Sequence, residues 1–369
     1  MKVDPSTETR VFGRLVMRGV LSKESVVGLF EQAKQAQAEG QAVSLSALAV
    51  DAGLIDAGQL QRYLVTDGDE APELPGFEYL EKLGEGGTAN VFALRRRKDG
   101  QVQALKILHA DMAGDEFQVK CFLAEAKLLG RLDHENVVKG FKAGRFAGRY
   151  LSFMERVEGR TLQEAIAEGG AFDEQGALFV VLQVARALEY LRSQGVVHRD
   201  IKPGNILVTS DNVVKVIDLG FAISDDGASG DGSTTIGTAA FLSPEQARGE
   251  ADLDVRSDIY ALGATLYQLV LGELPFSGDD EELVQKAVLE GLSAQATKGG
   301  RISAHMHYFI EKMMAKEREH RYQDPIELIR DIEQTLAGKR SLEIESTPDD
   351  SAEMLKKRLA RLRKRRGRR

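Results

Sequence analysis

The sequence predicts an α+β fold in two lobes, one β-rich and one α-rich, preceded by a small helical domain. Three observations predict it. From Phe77 the chain runs in short strand-like stretches: Phe77-Glu78-Tyr79-Leu80-Glu81-Lys82-Leu83, then Asn90-Val91-Phe92-Ala93-Leu94, then Val102-Gln103-Ala104-Leu105-Lys106-Ile107-Leu108. After about Phe172 helical patterns dominate as far as Leu336. Residues 1–66 carry apolar residues at helical spacing with polar breaks between them. Strands first and helices afterwards is the order of an α+β chain.

Within residues 1–66 a pair of stretches look alike: Gly19-Val20-Leu21-Ser22 and Gly53-Leu54-Ile55-Asp56. Each has a glycine, two apolar residues and a Ser or Asp suited to cap a helix starting there. They lie 34 residues apart, and two copies are too few for a solenoid, so the spacing predicts a small bundle of paired helices. Residues 67–76 are acidic and contain Pro and Gly, as a linker does. The boundaries that follow are a helical domain over 1–66, a linker over 67–76, a main domain over 77–337, and a tail over 338–369. The tail opens acidic, and Ser351 is placed to cap a helix bearing Leu355, Leu359 and Leu362 on one face.

Composition sets limits. With 43% hydrophobic and 29% charged residues the chain is an ordinary globular protein. No run reaches the roughly 18–20 apolar residues of a membrane helix. The most apolar stretch, Ile259 to Leu271, contains Gln268 and reads as a buried helix. A single cysteine, Cys121, excludes an internal disulfide framework, and the N-terminus lacks a secretory pattern. Cytoplasmic localisation is the expectation. Residues 356–369 hold ten Lys or Arg and no acid, so without them the net charge falls from −8 to −18. An acidic body with a basic tail speaks of partners rather than fold.

Gly84-Glu85-Gly86-Gly87-Thr88-Ala89-Asn90-Val91 lies between two predicted strands. Glycines there let a hairpin lie close over phosphates with its N–H groups available, although alone the run fits a plain tight hairpin better. A strand follows it, so it is not the dinucleotide fingerprint, which needs a helix. Lys106 sits in an apolar strand beyond this hairpin, as a phosphate ligand or as a side chain reaching for solvent. Glu125, in the helical run from Phe122, is its candidate ion-pair partner, although by itself it reads as a solvated helix charge. The segment His198-Arg199-Asp200-Ile201-Lys202-Pro203-Gly204-Asn205 puts a carboxylate, a lysine and an amide in one loop. That set can orient a hydroxyl, neutralise a transferring phosphoryl group and hold a metal. Thirteen residues after Asn205, Asp218 ends an apolar strand ahead of Leu219-Gly220. Asn205 and Asp218 offer the oxygen ligands Mg²⁺ prefers.

With these residues in this order, the chain resembles a eukaryotic-type serine/threonine protein kinase of the sort bacteria also encode, over roughly 260 residues. The resemblance implies a bilobal kinase fold and ATP as phosphoryl donor, with Mg²⁺ or alternatively Mn²⁺. Gly84, Gly86 and Ala89 match the glycine-rich loop, Lys106 the third-strand lysine and Glu125 its helical partner. Asp200 matches the catalytic base, and Lys202 the γ-phosphate ligand of the serine/threonine form. Asn205 and Asp218 match the metal ligands, and Thr238 supports Asp200 and Lys202. The nucleotide site it implies takes in Leu83, Gly84, Glu85, Gly86, Gly87, Val91, Ala104 and Lys106. It continues through Met154 as gatekeeper, Glu155 and Val157 with their backbone groups, and Asn205, Leu207 and Asp218. Ser243-Pro244-Glu245 resembles the end of the activation segment, Arg321 the partner of Glu245, and Asp258 the anchor of the catalytic loop. Ala89, Leu219 and Ala239 depart from the family pattern, and none of the three removes a charged or ligating group.

Arg199 before Asp200 implies control by phosphorylation in the segment Ser224–Ile236, with Thr234 and Thr235 as first candidates and Ser233 next. The N-terminal region faintly resembles the helical domain at the start of type II secretion and type IV pilus ATPases; a protein-interaction or ligand-sensing role is the expectation for it, with a structural appendage as the alternative. The tail suits nucleic acid, an anionic lipid surface or an acidic protein, although it has no aromatic residue to stack on bases. Two other classes compete: a non-catalytic scaffold on a kinase fold, and a nucleic-acid-binding protein of kinase ancestry. Intact Lys106, Asp200, Asn205 and Asp218 argue against the scaffold, and the nucleic-acid reading rests only on the tail.

Overall fold

The structure, a computed structural model, describes residues 5–39, 43–66, 71–219, 239–276 and 301–338. They fall into two compact units, one of Met1–Leu132 with Lys139–Val157 and one of Asp133–Val138 with Glu158–Arg369.

The first unit begins with four helices, α1 (Pro5–Met17), α2 (Lys23–Ala38), α3 (Leu45–Asp51) and α4 (Ala57–Val65). The α1–α2 and α3–α4 turns are built alike. Gly19 and Gly53 have φ of 68° and 66°, a conformation glycine adopts without penalty. Their N–H groups donate to the Val16 and Val50 carbonyls, and those of Val20 and Leu54 to Leu15 and Ala49. This satisfies carbonyls the helix ends leave open. Leu21 and Ile55 are then buried, and Ser22 and Asp56 cap the next helix. The same short phrase thus codes the same turn twice. Glu8 of α1 is buried and accepts the Leu45 and Ser46 N–H groups at 3.1 and 3.2 Å. Its carboxylate sits where the dipole of α3 is positive.

An antiparallel sheet follows, of β1 (Phe77–Glu85), β2 (Ala89–Arg96), β3 (Val102–Leu108), β4 (Gly140–Phe146) and β5 (Arg149–Glu155), in the order β1-β2-β3-β5-β4. The period of two in β3 divides its side chains between faces. Leu105 and Ile107 join Tyr79, Phe92 and Phe153 in a core completed by Val65, at the end of α4, and Leu74. Tyr79 donates its hydroxyl to the Pro72 carbonyl at 3.0 Å, and Arg62 pairs with Glu73 at 3.1 Å. The helices and the sheet of this unit therefore share apolar packing. Leu108, on the other face, packs with Ala89 and with Phe122 of α5 (Glu116–Arg131).

The second unit holds a small sheet of β6 (Gly159–Thr161), β7 (Ile206–Thr209) and β8 (Val214–Val216). Around it lie α6 (Leu162–Gly169), α7 (Glu174–Ser193), α8 (Pro244–Ala247), α9 (Val255–Leu271), α10 (Ala304–Met313) and α11 (Pro325–Leu336). The run from Ile259 to Leu271 lies in α9, which is buried along most of its length and packs against α7 and α10. A helix apolar on every side has no other stable place. Among the described residues no helix is long and apolar enough to cross a membrane. The helix expected from Ser351 and the basic run Lys356–Arg369 lie outside the described residues.

Candidate active site

In the first unit, β1 and β2 carry the glycine-rich hairpin, with Gly84 opposite Val91 and Glu85 opposite Asn90. The Gly86 N–H closes the turn on the Ala89 carbonyl at 2.9 Å. Ala89 starts β2 and buries its methyl group against α5, so this departure from glycine serves packing. Leu83 precedes the turn in β1, and Lys82 pairs with Glu85 at 2.6 Å on the exposed side. His109, just past β3, closes on the hairpin twice, through its N–H to the Thr88 carbonyl and through Nε2 to the Gly86 carbonyl, each at 2.9 Å. For that second contact Nε2 must carry the proton.

Lys106 stands opposite Val91 and Ser152 in the register. Its Nζ meets both Glu125 oxygens at 2.9 Å, and both side chains are largely buried. Ala104 is buried in the same strand opposite Met154. The Glu155 N–H donates to the Lys139 carbonyl at 2.8 Å, and the Val157 carbonyl accepts Arg156 Nη1 at 2.7 Å. Backbone contacts to a base would come from other groups of these two residues.

In the second unit Asp258, near the start of α9, accepts the His198 and Arg199 N–H groups at 2.8 and 2.7 Å. Burial pushes its carboxyl up to about 7, against the pull of those two N–H groups and of the Arg199 charge. Arg199 has φ of 68°, uncommon for a residue with a side chain. Burial lowers His198 to about 4, so its ring is neutral near pH 7, and its Nδ1 accepts the Asp200 N–H at 3.3 Å.

Asp200 is the centre of the loop. Its Oδ2 accepts Asn205 Nδ2 at 2.7 Å and pairs with Lys202 Nζ at 2.8 Å, while its carbonyl accepts the same Nδ2 at 2.9 Å. Burial raises its carboxyl above the usual aspartate range, against the opposing charge and hydrogen bond of Lys202. Asn205 ends the 3-10 turn Pro203–Asn205, and its carbonyl accepts the Ile217 N–H at 2.9 Å. That bond ties the loop to the strand end carrying Asp218, which has φ of 64°. Leu207 follows in β7, half-buried. The amide nitrogen of Asn205 is committed to Asp200, which leaves its oxygen as the ligating end. With the Asp218 carboxylate this is an all-oxygen donor set, and it fits a hard divalent cation.

Glu245 accepts Arg321 Nη1 at 2.6 Å, Arg321 Nη2 at 2.8 Å and the Ser257 hydroxyl at 2.7 Å. Phe241 and Leu242 line a small hollow with Arg199, Asp200, Ile201 and Ala261. Thr238, Ser233, Thr234 and Thr235 lie outside the described residues. Sequence reasoning thus names the residues that pair as Lys106 with Glu125, Asp200 with Lys202 and Asn205, and Glu245 with Arg321. It passes over His109, for which no local pattern speaks. It also passes over Gln246, whose Nε2 donates to the Arg199 carbonyl at 2.8 Å. The Ser-x-x-Gln spacing from Ser243, a helix-capping signature, was the available clue to Gln246.

Comparison with known proteins agrees with this geometry. The protein kinase domain family matches residues 77–334. A probable serine/threonine-protein kinase of Clostridium perfringens is 38% identical over 259 residues, covering 70% of this chain and 38% of that protein. Serine/threonine-protein kinase PknB of Mycobacterium leprae is 35% identical over 270 residues, 71% of this chain and 43% of its own. PknB of Mycobacterium tuberculosis is 36% identical over 265 residues, 69% and 42%. The chain spans about two fifths of the length of these relatives. A buried Asp200 bonded to Lys202 and Asn205, a paired Lys106 and Glu125, and a domain match over most of the chain lead to one conclusion: the chain belongs to the protein kinase family, among its bacterial serine/threonine members.

Proposed function

We propose that the chain transfers the γ-phosphoryl group of ATP to serine and threonine hydroxyls of proteins. The observation that carries this is Asp200, a buried carboxylate with one oxygen shared by Lys202 and Asn205. In the reaction the acceptor oxygen bonds to the γ-phosphorus, the bond from that phosphorus to the β–γ bridging oxygen breaks, and ADP leaves. Asp200 orients the hydroxyl and takes its proton. Burial raises its pKa above the usual aspartate range, which makes it a better base than an exposed aspartate, and the Lys202 charge opposes that rise. Lys202 then turns to the γ-phosphate, and Lys106, fixed by Glu125, holds the α- and β-phosphates. Asn205 and Asp218 would hold Mg²⁺, or alternatively Mn²⁺, which would supply neutralisation of the phosphate charge. Leu83, Ala104, Met154, Val157 and Leu207 serve the base, and the Gly84–Val91 hairpin the phosphates.

Arg199 supports control by phosphorylation: its Nε is a buried donor without a hydrogen bond among the described residues, as suits a site for a phosphate oxygen. Thr234, Thr235 and Ser233 are the proposed acceptors, and Thr238 the proposed support of Asp200. Residues 1–66 are proposed to bind a partner or ligand, 77–337 to form the kinase domain, and the tail to meet an anionic surface. We assign the protein to the cytoplasm.

Full-length protein incubated with [γ-³²P]ATP, Mg²⁺ and a generic basic protein tests the reading. Label is expected in the acceptor with the wild-type protein and none with Asp200→Asn or Lys106→Met. Label retained by either variant would overturn its assignment.

A further inference from the structure

The peptide joining Arg199 to Asp200 carries the catalytic base, and it is held from a direction the family signature does not mark. The Arg199 N–H is fixed by Asp258 at 2.7 Å. On the far side of the same residue, the Arg199 carbonyl accepts Gln246 Nε2 at 2.8 Å. Arg199 is left-handed, with φ of 68°, and such a conformation persists only where its surroundings hold both ends of the residue. Within the Arg199–Asp200 peptide, the Asp200 N–H donates to His198 Nδ1 at a longer 3.3 Å. Gln246 therefore makes the shorter of the two described contacts to this peptide plane.

Gln246 is itself firmly placed. Its Oε1 accepts the Ser243 N–H at 3.1 Å and the Ser243 hydroxyl at 3.0 Å, and its own N–H donates to the Ser243 oxygen at 3.4 Å. The preceding residue, Glu245, is locked by Arg321 and Ser257. The amide thus has one end spent on the cap of α8 and the other on the catalytic loop. We propose that Gln246 is a positioning residue, whose Nε2 sets the orientation of the Arg199–Asp200 peptide and through it the reach of Asp200 to the acceptor hydroxyl. The inference rests on the reading of Asp200 as catalytic base. It makes the segment around Ser243 a direct mechanical neighbour of the base.

Three variants separate positioning from capping. Gln246→Glu keeps an oxygen for Ser243 and loses the donor to Arg199, Gln246→Ala loses both, and Ser243→Ala removes the cap while leaving the donor. With full-length protein, kcat for phosphoryl transfer should fall at least about tenfold in both Gln246 variants, with KM for ATP within about twofold, since a small misplacement of a reacting group costs rate more than binding. Ser243→Ala should keep kcat within about threefold. Equal losses in all three variants, or a KM change without a kcat change, would overturn the proposal. Hydrogen–deuterium exchange of the nucleotide-free proteins supplies a readout independent of turnover. Amides of residues 198–202 should exchange faster in Gln246→Glu than in Ser243→Ala, with those of α9 unchanged. Unchanged exchange at 198–202 would overturn the proposal even in an inactive protein, whereas an inactive wild type with the expected exchange would count against the reading of Asp200 alone.

Discussion

Arg321 grips Glu245 with both ends of its guanidinium, at 2.6 and 2.8 Å, and the two side chains of the pair are completely buried. The residues stand 76 positions apart, so the pair closes a long loop of the second unit. Removing one partner leaves the other as an uncompensated buried charge. Arg321→Met should cost about 3–5 kcal/mol in urea unfolding. A loss below about 1 kcal/mol would mean that water reaches Glu245.

The same pair sets a pH dependence. Burial alone would raise the Glu245 carboxyl, but the Arg321 hydrogen bonds and charge, with Ser257, outweigh it and bring the value down from 4.5 to about 2. Because the folded value is the lower one, the stabilisation is complete above 4.5 and is lost as pH falls toward 2. The linkage amounts to about 3 kcal/mol. Acid titration of stability should be less steep in this window for Glu245→Gln than for the wild type. Parallel curves would contradict the assignment.

Asp258 holds two backbone N–H groups with two oxygens, and asparagine has only one oxygen to offer. Asp258→Asn should leave one buried N–H of His198 or Arg199 unsatisfied, at a cost of about 1–3 kcal/mol. Phosphoryl transfer should fall with it, because the loop bearing Asp200 loses an anchor. Thermal unfolding and a kinase assay of the same preparation check both effects.

Leu74 joins the acidic stretch after α4 to the sheet, in a core with Val65, Leu105 and Ile107. Leu74→Ala should cost about 2–3 kcal/mol, the low end for a core leucine, because an edge site of this kind can partly collapse. Leu54→Ala, at a partly exposed position outside that core, should cost less than about 1 kcal/mol. Equal effects would mean that packing of Leu74 on the sheet adds nothing.

The features legible in the sequence were those carried by residue type at fixed spacing. Asp200, Lys202, Asn205 and Asp218 stand out because a carboxylate, a lysine and an amide in one loop, with a second carboxylate thirteen residues on, are an uncommon set, whereas Glu125 and Asp258 are named only through the family resemblance. The paired turns at Gly19 and Gly53 stand out because a left-handed residue followed by a cap has few spellings. Illegible were contacts joining remote segments through ordinary polar side chains. Gln246 meets Arg199 across 47 positions, Glu8 caps a helix 37 positions away, and His109 bonds Gly86 across 23. Composition likewise marks residues 67–76 as a linker without telling that Leu74 finds the apolar face of a sheet. The activation segment and the tail lie outside the described residues.

The central claim is that Asp200 is the base for transfer to an aliphatic hydroxyl, and phosphoamino-acid analysis tests it most directly. After incubation with Mg²⁺ and [γ-³²P]ATP, wild-type protein should yield labelled phosphoserine and phosphothreonine without phosphotyrosine, and Asp200→Asn should yield no label. Labelled phosphotyrosine, or label persisting in Asp200→Asn at the wild-type level, would contradict the account.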